Sequence, residues 1–82
     1  MRPDEIKRMI EASIADCEAR VEGDDGRHYT AVIISSLFVG RSMLEQHKMV
    51  YAALGNSMES AIHAFSMRTF TPEQWQQAQQ RK

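Results

Sequence analysis

The sequence is short of most features that announce a chemistry. It has one cysteine, Cys17, so no internal disulfide forms within the chain. No run approaches the roughly 18 apolar residues that span a bilayer, and no apolar stretch follows the opening Met-Arg-Pro in the manner of a secretory leader. The expectations are no membrane partner and a cytoplasmic location. Excess charge of one sign is missing too. Ten basic residues against eleven acidic ones leave a net charge of -1, so no overall field draws the chain to nucleic acid or anionic lipid, and only a local basic patch stays open. There is no internal repeat, no low-complexity linker and no glycine-rich phosphate loop. No nucleophile stands beside a base in a recognisable motif, which points away from an enzyme.

What is present is enough for one small folded domain. In 82 residues, 43% are hydrophobic and 26% charged, well away from compositions that stay disordered, and the length allows a single core of two packed layers. From Pro3 to about Ala15, Ile6, Met9, Ile10 and Ile14 recur at three- and four-residue steps, which predicts an amphipathic helix with Cys17 near its end as a buried, inert thiol. A hairpin follows: a short strand near Ala19 to Glu22, the turn Gly23-Asp24-Asp25-Gly26, and a longer strand from about His28 to Ser36. Tyr29, Ala31 and Ile33 fall on one face of that strand, and Thr30, Val32 and Ile34 on the other. The near-continuous run Ala-Val-Ile-Ile marks it as central.

Ser42 with Glu45 three residues later forms a capping box and starts a second helix, with Met43, His47, Val50, Tyr51 and Leu54 as its apolar stripe and His47 as a structural, hydrogen-bonded histidine. Gly55-Asn56 ends it, and Ser57 to Ala61 adds a short helical turn. A third strand covers about Ile62 to Thr69. Thr71, Pro72 and Gln74 then supply an N-cap, a first-turn proline and a reciprocal cap for a last helix carrying Trp75, frayed at Gln79 to Lys82. The hairpin strands are antiparallel, while the helical crossover makes the second and third strands parallel. The expected fold is α+β: a type II KH-like α-β-β-α-(α)-β-α sandwich with a three-stranded mixed sheet.

Two histidines sit where chemistry can gather. His28 opens the second strand and His63 opens the third. Parallel neighbours begin at the same edge, about 4.8 Å apart, so two imidazoles there can converge on one metal centre. The plain alternative is a polar residue at each strand end. Two histidines are too few to close a tetrahedral zinc site, so a centre built on them must be completed from outside the chain. The literal GXXG at Gly23 to Gly26 is no KH phosphate clamp, because it lies in the hairpin and carries two carboxylates.

At this point the residues resemble a known family. The stretches LFVGRSMLEQHKMVYAAL and IHAFSMRTFTPEQW, within residues 37 to 75, are similar to the BolA family, with its Ile-His-Ala and Thr-Pro-x-x-Trp motifs. The short chain and the hairpin histidine are most similar to the IbaG-like bacterial members and the short cytosolic eukaryotic members. The resemblance implies that residues 1–82 form a single BolA-like domain that pairs with a monothiol glutaredoxin. The pair would share a glutathione-ligated [2Fe-2S] cluster and act in iron-sulfur trafficking or iron homeostasis, with a link to stress response. The resemblance implies His63 as a cluster ligand and His28, in the hairpin loop, as the second. No cofactor is expected on the isolated chain.

Two rival readings stay open beside this one. In the first, the chain is a KH-like nucleic-acid-binding transcriptional regulator, with Arg41 and Lys48 on one helix contacting phosphate and at most weak nucleic-acid binding overall. In the second, it is an adaptor that binds a partner through a sheet edge or the last helix without metal. Weak homodimerisation of the free chain also stays open.

Overall fold

The computed structural model describes residues 1–60, 62 and 64–80. Helix α1 (Pro3–Ser13) starts with proline at its first position and acidic Asp4 and Glu5 in its first turn, where the helix dipole favours them. Asp16, at φ 50°, makes the sharp left-handed link into strand β1 (Cys17–Glu22); aspartate tolerates this backbone region better than most side chains. Strand β2 (His28–Ser35) runs back beside β1, and a turn of 3-10 helix (Ser36–Phe38) leads toward helix α2 (Met43–Leu54). The Ser42 hydroxyl accepts from the Glu45 amide at 3.1 Å, and the Glu45 carboxylate accepts from the Ser42 amide at 2.8 Å. That is the capping box the sequence predicts.

Gly55 closes α2 at φ 56°, and the short helix α3 (Ser57–Ser60), strand β3 (Ala64–Phe70) and helix α4 (Pro72–Gln80) follow. Thr71 and Gln74 exchange the predicted pair of capping hydrogen bonds, at 3.0 and 3.1 Å. The described strands form a three-stranded sheet in the order β1-β2-β3, antiparallel in the first pair and parallel in the second. The α+β sandwich, the mixed sheet and the central position of β2 are thus as the sequence predicts.

The side-chain alternation of β2 sorts the layers. Tyr29, Ala31 and Ile33 are buried and join Ile6, Ile10 and Ile14 from α1 and its end, Ala19 of β1, Phe38, Val50, Leu54 and Ile62 in one core. On the opposite face, Trp75 of α4 meets Phe70 edge to face at 5.2 Å, with the Arg20 guanidinium 5.1 Å from the Trp75 ring. Helix α1 is fastened to β1 by a polar clasp. Glu11 Oε2 accepts from the Ala19 amide at 2.9 Å and from Lys7 Nζ at 2.6 Å, while Lys7 Nζ also donates to the Ala19 carbonyl at 2.8 Å.

Several expectations need correction. Cys17 begins β1 instead of ending α1, because the helix stops at Ser13 and the turn at Asp16 intervenes. The thiol is half-buried, and desolvation, helped by the nearby Glu11 carboxylate, pushes its pKa up to about 11, which fits the inert role. The inward stripe of α2 is Gln46, Val50 and Leu54 at four-residue steps, whereas Met43 (63%) and Tyr51 (43%) are exposed. His47 is half-buried, but its Nε2 has no hydrogen-bond partner among the described residues. Ile62 precedes β3 as a core residue, its amide bonded to the Ser57 carbonyl at 2.9 Å. The expected frayed end falls partly outside the described residues, at Arg81 and Lys82; Gln79 and Gln80 are helical.

Candidate functional site

His28 stands at the first position of β2, and its register partner across the parallel pair is Ala64, the first residue of β3. The Ala64 amide donates to the Arg27 carbonyl at 3.1 Å, which binds the start of β3 to the loop that carries His28. His63 is the sequence neighbour of Ala64 and lies outside the described residues.

The loop owes its shape to Asp25. One carboxylate oxygen accepts from the backbone amides of Arg27 and His28, each at 2.9 Å, closing a turn in which the side chain stands in for backbone. The other oxygen lies 2.6 Å from His28 Nδ1. The His28 amide, then its ring, then the Arg27 amide hold the Asp25 carboxyl well below the usual carboxylate range. An ionised carboxylate only accepts hydrogen bonds, so this contact favours a proton on Nδ1.

Gly23 completes the arrangement. A Cβ placed there would fall 2.6 Å from the His28 carbonyl oxygen and 2.7 Å from the Tyr29 ring, so only glycine lets the hairpin close this tightly. The first glycine of the apparent GXXG is therefore a packing residue of the hairpin.

His28, Tyr29, Thr30, Ala64 and Ser66 line an open cleft of about 570 Å³ with Glu22, Gly23 and Asp24 of the loop. The His28 side chain is 63% exposed, so a ligand or partner can reach it. Its chemistry fits a metal ligand, since ligating histidines usually donate their second ring nitrogen to a carboxylate or carbonyl that fixes tautomer and orientation. The described residues contain no group of three or more His, Cys, Asp or Glu placed to hold a metal ion. Cys17 pairs with Ser35 at the far end of β2, seven residues from His28, or roughly 23 Å at the rise of a strand. It is therefore too distant to join His28.

The nucleic-acid candidates also require correction. Arg41 and Lys48 do not share a helix: Arg41 precedes the Ser42 cap, and its Nε donates to the Leu37 carbonyl at 3.1 Å, while Lys48 lies within α2. Glu45 stands close enough to both cations for their charges to help lower its carboxyl pKa, after the larger effect of its Ser42 hydrogen bonds. Gln46 was not among the residues singled out by sequence, and Gly23 and Asp25 entered only as parts of the hairpin turn. The available signal was the aspartate three positions before His28, at turn spacing.

The described geometry is that of a small α+β domain with an exposed imidazole, held by a carboxylate, at the start of its central strand. The comparisons specify the family. A family model described as "BolA-like protein" matches residues 5–74, and the chain belongs to the BolA family.

Among similar proteins, the acid stress protein IbaG of Escherichia coli O6:H1 is 31% identical over 76 residues, covering 92% of this chain and 89% of that protein. The DNA-binding transcriptional regulator BolA of Escherichia coli K12 is 31% identical over 49 residues, covering 60% of this chain; the match spans only 47% of that relative's length. A solved structure of a BolA protein homologue from Coxiella burnetii superposes with a TM-score of 0.83 at 38% identity, covering 93% of this chain and 97% of that one. The described residues contain no helix long and apolar enough to cross a membrane.

Proposed function

We propose that this chain is a non-enzymatic partner of a monothiol glutaredoxin, with which it shares a glutathione-ligated [2Fe-2S] cluster in iron-sulfur trafficking or iron homeostasis. His63 and His28 are its ligands in this reading. The observation that carries it is the Asp25–His28 contact at 2.6 Å, which turns His28 Nε2 into an oriented lone-pair donor at the edge of an open cleft. The covalent link of His63 to Ala64, the register partner of His28, supports pairing the two histidines.

Two imidazoles cannot complete a two-iron cluster, so the remaining ligands must come from a partner and its thiol. When bound, the cluster supplies one-electron redox chemistry, and histidine ligation in place of thiolate raises its reduction potential. This chain's own part is to present neutral imidazole, hold its ring through Asp25 and leave one side of the site open.

The test is co-expression with a monothiol glutaredoxin followed by visible absorption of the purified complex. A coloured heterodimer, with this chain colourless when purified alone, is the expected result. A stoichiometric cluster on the isolated chain contradicts the shared site.

The E. coli relative described as a DNA-binding transcriptional regulator supports a second reading, nucleic-acid binding. Its residues here would be Arg41 and Lys48, on different elements. A steep loss of DNA affinity with salt, removed by Lys48→Ala, would establish that reading.

A further inference from the structure

We infer that Asp25 is a positioning residue whose carboxylate selects the His28 tautomer with the proton on Nδ1 and so reserves Nε2 for a ligand. The inference rests on the reading of His28 as a ligand and adds to it a residue that neither motif nor family comparison assigns.

The geometry divides the work of Asp25 between its two oxygens. Oδ1 takes both loop amides, from Arg27 and His28, at 2.9 Å each, and fixes the backbone that leads into β2. Oδ2 takes the His28 ring nitrogen at 2.6 Å. Main chain and ring of one residue are therefore anchored to one carboxylate, and that carboxylate belongs to the same five-residue connection between the hairpin strands. The Ala64–Arg27 hydrogen bond ties this connection to β3. His28 is thus held before any ligand arrives, and less conformational freedom is lost on ligation than from an untethered loop.

Substituting asparagine separates the two roles. The loop amides are donors and require an oxygen, so in Asp25→Asn the side-chain carbonyl retains those contacts and the side-chain NH2 group turns toward the ring. An NH2 group donates; Nδ1 must then accept, and the ring proton moves to Nε2. Asp25→Asn therefore preserves the turn but blocks the nitrogen that a ligand needs. A purely structural role for Asp25 predicts no such inversion.

The experiment is long-range 1H–15N correlation on the 15N-labelled free chain at about pH 8, above the imidazole reference value of about 6.5. The wild-type chain is expected to show His28 protonated at Nδ1, and Asp25→Asn to show it protonated at Nε2, with the Arg27 and His28 amide resonances reporting that the loop is retained. A wild-type ring protonated at Nε2, or the same tautomer in both proteins, overturns the inference. This arm needs no cluster.

In a second arm, the glutaredoxin complex of Asp25→Asn is expected to release its cluster 10- to 100-fold faster than wild type, the usual range for loss of a group that orients a ligand. Equal release rates also overturn the inference. A wild-type complex with no histidine-type spectrum would instead refute the shared-cluster reading, with the tautomer result still deciding the role of Asp25.

Discussion

Thr69 of β3 donates its hydroxyl to the Gln46 side-chain oxygen of α2 at 2.5 Å, inside the interface between helix and sheet. Gln46 Nε2 in turn donates to the Phe38 carbonyl at 3.2 Å and the Arg41 carbonyl at 3.0 Å. One amide thus joins the end of β3, the first turn of α2 and the segment that leads from β2 into α2. Gln46→Leu keeps the side-chain volume but removes the partner of the Arg41 carbonyl and of the Thr69 hydroxyl, while the Phe38 carbonyl keeps the Arg41 amide at 3.1 Å. It is expected to lower stability by about 2 kcal/mol, measured by chemical denaturation. Unchanged stability would mean that water satisfies those groups and that the bridge is incidental.

Gly23→Ala addresses the hairpin. The new methyl meets the His28 backbone oxygen, which cannot step aside as a flexible side-chain tip does, so the loop or β2 must shift. A loss of about 1–3 kcal/mol is expected, in the range of overpacking substitutions, together with altered His28 resonances. A variant with wild-type stability and an unmoved His28 would show that the loop has slack.

The Glu11 clasp makes a prediction about acid. Its carboxyl pKa is lowered first by the Ala19 amide, then by Lys7. The folded state thus binds this proton less readily than the unfolded one, and the stabilisation is present above the reference value of 4.5 and lost as pH falls through the lower folded value. Glu11→Gln should reduce stability near neutral pH and flatten the acid-side decline in urea midpoints. An acid-side decline identical to wild type would contradict the assignment.

Much of the fold was legible because its signals are local. The starts of α2 and α4 rest on reciprocal caps, Ser42 with Glu45 and Thr71 with Gln74, and the alternation Tyr29, Ala31, Ile33 identifies the buried face of β2 without further information. What escaped depends on tertiary context. The pattern of Ile6, Ile10 and Ile14 continues past the end of α1, so nothing local announces that Asp16 turns the chain and sends Cys17 into a strand.

Helix α2 offered two overlapping stripes. The four-residue steps through Met43, His47 and Tyr51 were no less regular than those through Gln46, Val50 and Leu54; of the stripe read from sequence Val50 and Leu54 do face inward, and they are joined by Gln46, which finds polar partners there. At the candidate site, the start of β2 at His28 was visible and its parallel pairing with β3 followed from topology, whereas β3 begins at Ala64 and not at the expected Ile62. The orienting carboxylate was not, because two aspartates between glycines look like any solvated turn until hydrogen bonds distinguish Asp25 from Asp24.

The most direct test of the shared-cluster account is visible circular dichroism of the glutaredoxin complex formed by wild-type, His63→Ala and His28→Ala chains. The account predicts a histidine-type spectrum for wild type and its loss or conversion in His63→Ala even where the two proteins still associate. It also predicts a clear change in His28→Ala, because Asp25 holds that ring ready in the free chain. Spectra unchanged in both variants would contradict it and leave the two histidines as polar residues at strand ends.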